Sequence, residues 1–64
     1  DFYKLSQLVI IYHNNGMMEK RDEILKTIIS MNKNKKETEV LQRLINRDSK
    51  VDYFTYMEEI FGGM

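Results

Sequence analysis

Residues 5–31 read LSQLVIIYHNNGMMEKRDEILKTIISM, and this stretch decides the fold. Leu5, Leu8, Val9 and Tyr12 share one face of a helical wheel, the period of an amphipathic helix. Asn14, Asn15 and Gly16 then break it, because Asn and Gly tolerate the left-handed conformation that ends helices. After them Met18, Leu25, Ile28 and Ile29 form a second apolar face, flanked by Ile24 and Met31. The spacing predicts helices at about 2–13 and 17–31. A connection this short folds the pair into an antiparallel hairpin.

Working outward, Asn32 to Lys36 is a polar break, and Asn34 stands three residues before Glu37, the spacing of a capping box. A third helix follows at about 35–47, with Val40, Leu41, Leu44 and Ile45 inward. Ser49 and Asp52 repeat the capping spacing before a fourth helix at about 50–61, which Gly62 and Gly63 close. No segment alternates with the two-residue period of a strand, and proline is absent. The expectation is an all-α fold, a small bundle of three or four helices in a single domain over 1–64.

A chain of 64 residues supports only a small core. Chains of this length rarely draw more than about 3–5 kcal/mol from it, and a disulfide, a metal or a partner usually reinforces them. Cysteine is absent and His13 is the single histidine, so disulfides are excluded and a structural zinc site nearly so. That leaves a partner chain, a homo-oligomer or a larger complex, as the natural reinforcement.

Ten basic and ten acidic residues cancel, but their distribution is uneven. Residues 32–50 hold six bases against three acids, whereas residues 51–64 carry only Asp52, Glu58 and Glu59. The longest apolar run, Leu8 to Tyr12, is far too short for a membrane span, and no signal-peptide layout precedes it. With the lack of cysteine, this points to a cytoplasmic setting and no membrane partner. The opening Asp1 in place of methionine reads as a fragment or a trimmed chain.

Two apolar excesses suggest a contact surface. In the fourth helix Val51, Tyr53, Phe54, Tyr56, Met57, Ile60 and Phe61 cover more than half of the circumference. Such a helix either runs through the middle of the bundle or offers aromatic area to a partner, where Tyr, Phe and Met are enriched. In the first helix Tyr3 and Ile10, seven residues apart, lie opposite Leu5 and Leu8. The expected protein interface is Tyr3, Ile10, Tyr53, Tyr56 and Phe61, with Met64 beside it and Met17, Met18 and Met57 as adaptable contacts.

Lys36, Arg43, Arg47 and Lys50 form a basic stripe beside the apolar face of the third helix. A row of this kind can track phosphates, so a small nucleic-acid-binding domain is the alternative reading. Cations near a helix C-terminus also complement its dipole, and Glu39 stands four residues before Arg43, where it offsets that charge.

Nothing in the chain signals catalysis or a cofactor. His13 near a helix end reads as an exposed, dipole-favoured residue, and Ser6, Ser30 and Ser49 lack a nucleophile context. Arg21 falls on the inward face of the second helix. Its expected arrangement is a packed stem with the head snorkelling to solvent, or else a pairing with Glu58 or Glu59 or with a carboxylate on a partner.

Residues 1–33 resemble one tetratricopeptide repeat at Leu8, Tyr12 and Gly16, with Leu5, Leu25 and Ile28 at its usual hydrophobic positions. They depart from it at Val9 and Arg21, where small residues belong, and at Lys33 in place of the closing proline. No second repeat follows. The resemblance implies peptide or protein binding. The expected function is a non-enzymatic interaction or assembly module, self-associating or docked on a larger partner through helices 1 and 4.

Overall fold

A computed structural model describes residues 1–62 as four helices: α1 (Phe2–Asn14), α2 (Met18–Ser30), α3 (Lys35–Arg47) and α4 (Tyr53–Phe61). The protein is an all-helical bundle with no strand among the described residues. The antiparallel α1–α2 hairpin is its most closely packed pair. Met64, expected beside the interface, lies outside the described residues.

Local chemistry sets each boundary. Asp1 caps α1, its Oδ1 accepting from Tyr3 N at 2.7 Å and Lys4 N at 3.3 Å. The helix ends in a Schellman motif, in which Gly16 N donates to the His13 carbonyl and Met17 N to the Tyr12 carbonyl. Gly16 holds the left-handed position of that motif, at φ 74°.

Two left-handed asparagines, Asn32 (φ 54°) and Asn34 (φ 52°), turn the chain from α2 into α3. Asn34 precedes α3 as expected, but its side chain makes no capping hydrogen bond, so the capping box does not form. Only its carbonyl serves the helix, accepting from Thr38 N at 2.9 Å.

α4 begins three residues later than the spacing predicts. Asp52, not Ser49, caps it, with Oδ1 accepting from Phe54 N at 3.1 Å. The reason is Val51. Its N–H donates to Asn14 Oδ1 and its carbonyl accepts from Asn14 Nδ2, both at 2.8 Å. Val51 is thereby tied to the end of α1, and α4 opens only after the Asp52 cap.

α3 is the central helix. Its inward residues Val40, Leu41, Leu44 and Ile45 are all buried, as their spacing predicts. α2 lies at the margin, with Ile28 its one fully buried residue. On α1 the buried side chains are Phe2, Ser6, Val9, Ile10 and His13, while Leu8 and Ile11 are exposed. The inward face is therefore rotated from the Leu5–Leu8–Val9–Tyr12 stripe, because two polar residues, Ser6 and His13, occupy it. α4 contributes only Tyr56 to the fully enclosed interior.

Candidate interaction surface

Two of the five expected interface residues are core residues. Ile10 is 3% exposed, because α1 packs with both α2 and α3 and so has a second covered face. Tyr56 is fully enclosed, with its hydroxyl donating to Ser6 Oγ at 3.3 Å. Burial pushes its phenol pKa up to about 12. Neither side chain is available to a partner.

The other three lie nearer the surface. Tyr3 is half-buried, edge-on to Phe2 at 5.1 Å and tilted against Phe61 at 5.9 Å. Tyr53 is half-buried with its ring 6.0 Å from that of Tyr56. Phe61 remains exposed even though it packs on Tyr3, and that ring pair ties the end of α4 to the start of α1.

The surface apolar groups are largely others: Leu8 and Ile11 on α1, Met17 and Met18 at the hairpin, Ile29 on α2 and Phe54 on α4. Phe54 is 77% exposed, more than any other large apolar side chain described. Glu58 stands one turn after Phe54 and Phe61 one further turn on, so the three share the outer face of α4. Phe54 was visible in the sequence as one of seven apolar residues on its helix. What singles it out is its place two residues before the inward Tyr56, roughly on the opposite side of the helix.

Beneath the hairpin turn sits a polar junction. His13 is buried rather than exposed, with Nε2 2.7 Å from the Asp48 carbonyl and Nδ1 2.9 Å from Arg21 Nη1. A guanidinium only donates, so Nδ1 is the acceptor and Nε2 carries the proton given to Asp48. Arg21 thus turns inward to His13 and also bonds Asp22 at 2.9 Å, in place of solvent or Glu58 and Glu59. Asp48 in turn receives two hydrogen bonds from Arg47, which hold its carboxyl below the usual range.

The basic stripe is exposed at Lys36, Arg43, Arg47 and Lys50, with two of the four charges engaged. Arg43 pairs with Glu59 of α4, not with Glu39, and Arg47 pairs with Asp48. Lys36 and Lys50 have no ion partner among the described residues.

Between the end of α2 and the start of α3 lies an open groove of about 230 Å³. Ile29 is its one exposed apolar residue, with Ile28 fully buried behind it; Asn32, Lys33 and Lys35 stand at the α2–α3 turn, and Thr38, Glu39 and Gln42 line α3. The Thr38 hydroxyl is buried there with no hydrogen-bond partner among the described residues.

No group of three or more His, Cys, Asp or Glu among the described residues is placed to hold a metal ion. No described helix is long and apolar enough to cross a membrane. No family model, curated protein or solved structure matches this chain.

Proposed function

We propose that this protein is a non-enzymatic assembly module that associates with further copies of itself through exposed apolar side chains. The observation that carries the reading is the outer face of α4, where Phe54 and Phe61 both stand more than half exposed. Leu8 and Ile11 on α1 take the place of Tyr3 and Ile10 as that helix's surface apolar groups. A small domain gains from burying such groups against a partner, because binding to the folded state alone stabilises it by mass action.

The test is the solution mass, by light scattering on a gel-filtration column over a concentration series. Mass that rises with concentration supports assembly. A folded monomer at every concentration ends this reading and leaves the nucleic-acid alternative, carried by Lys36 and Lys50 with Arg43 and Arg47. That alternative requires a probe of DNA or RNA to bind at low salt and to release as salt rises.

A further inference from the structure

We infer that copies of this protein join head to tail, the Phe54 ring of one entering the groove between α2 and α3 of the next. The inference rests on the assembly reading and assigns both halves of the contact.

Phe54 has the form of a knob. It projects from α4 at 77% exposed, with Glu58 one turn beyond it on the same face and Asp52 just before it. No base occurs anywhere in residues 51–64, so the ring is presented in a wholly acidic segment.

The groove has the form of a socket. Its volume of about 230 Å³ is ample for an aromatic ring. An apolar protein cavity of about 150 Å³ already accepts benzene. Ile29, 49% exposed, supplies the apolar contact, with Ile28 fully buried behind it, and Lys33 and Lys35 supply the opposite charge for Glu58. Neither these lysines nor Glu58 has an ion partner among the described residues, so all are free to pair across a contact. Glu39, the one acid on the groove, lies on α3 a turn beyond Lys35, which directs an incoming carboxylate to the lysine end.

No residue of α4 lines this groove, so the protein does not fill it with its own aromatic side chain. A second copy fits because size and charge match together: one ring for one slot, and an acidic helix for a basic rim. Knob and socket occupy different surfaces, which makes the contact heterologous and lets a chain of copies grow unless it closes into a ring.

The experiment compares the wild-type chain, Phe54→Ser (knob removed) and Ile29→Glu/Lys35→Glu (socket removed), each by light scattering at low salt. Phe54, Ile29 and Lys35 are all exposed, so helix content by circular dichroism should stay unchanged. The wild type should gain mass with concentration. Each variant alone should associate at least about tenfold more weakly, the effect of losing an interface anchor. An equimolar mixture of the two variants should form a dimer and stop there, since one intact knob meets one intact socket.

Association of Phe54→Ser equal to wild type overturns this contact while leaving assembly standing. So does a mixture that stays monomeric although both variants are folded. A wild type that never associates overturns both readings together.

Discussion

Asn14, at the end of α1, holds the backbone of Val51 on both sides: its amide donates to the Val51 carbonyl and accepts from the Val51 N–H, each at 2.8 Å. This side chain does for the α3–α4 connection what a neighbouring strand does in a sheet. It satisfies a buried residue's two polar groups where no helix can, since Val51 is 4% exposed. Asn14→Ala strands both groups and should cost about 2–4 kcal/mol. A core of this size seldom supplies more than about 3–5 kcal/mol, so the loss is large against it. Urea denaturation would show it as a large drop in midpoint. Asn14→Asp should fall between, keeping the acceptor while setting a carboxylate against the Val51 carbonyl. A midpoint for Asn14→Ala equal to wild type would mean that the connection folds back without these bonds.

His13 and Arg21 make the second tie. Because Nδ1 accepts from Arg21 and Nε2 donates to the Asp48 carbonyl, His13 links α1, α2 and the α3–α4 connection through one ring. His13→Phe preserves ring bulk but leaves the Asp48 carbonyl without its donor and the Arg21 head with Asp22 alone, at a cost of about 1–3 kcal/mol. Arg21→Met keeps the packed stem and removes one donor, so its cost should be smaller, about 1 kcal/mol. The order of the two thermal midpoints checks this. Equal losses would shift the weight to Arg21 and away from the Asp48 bond.

These two ties explain which parts of the fold were legible. α3 was readable because its inward residues are all apolar except Thr38, so the wheel gave Val40, Leu41, Leu44 and Ile45 directly. The α1 hairpin end was readable because Gly16 takes the left-handed position there; Asn14 and Asn15 do not, and Asn15 sits at φ −101°. The inward face of α1 was not, because Ser6 and His13 become buried only through partners 50 and 35 residues away in the chain. The start of α4 was hidden for the same reason: Asn14 claims Val51 from 37 positions away. Ile10 and Tyr56, expected at the interface, therefore lie in the core, and Phe54, not singled out by its spacing, is the most exposed large apolar side chain described.

Tyr56 gives the fold a dependence on alkaline pH. Its phenol ionises near 10 when unfolded and near 12 in the bundle, because burial disfavours the phenolate. Below pH 10 both states keep the proton and the full stability is present. Between about 10 and 12 the unfolded chain loses its proton first, so stability falls as pH rises. The loss amounts to about 2–3 kcal/mol once pH passes the folded value. Tyr56→Phe should cost only about 0.5–1 kcal/mol near neutrality, since the bond to Ser6 is long at 3.3 Å. It should also flatten the alkaline limb of melting temperature against pH. A limb as steep as in wild type would assign it to other groups.

Thr38 is the position where the bundle should be easiest to stabilise. Its hydroxyl is buried in the groove wall with no partner among the described residues, while its backbone N–H already serves the first turn of α3. Thr38→Val replaces the hydroxyl with a methyl of similar size and keeps the β-branched shape at the same helical position. An unsatisfied buried hydroxyl costs about 1–3 kcal/mol, and removing it should return about 1 kcal/mol after local repacking. Thr38→Ser tests the cause, because it retains the hydroxyl and deletes the methyl that packs. Valine should raise the urea midpoint and serine lower it. If valine instead lowers the midpoint, the hydroxyl has a partner that matters to the folded state.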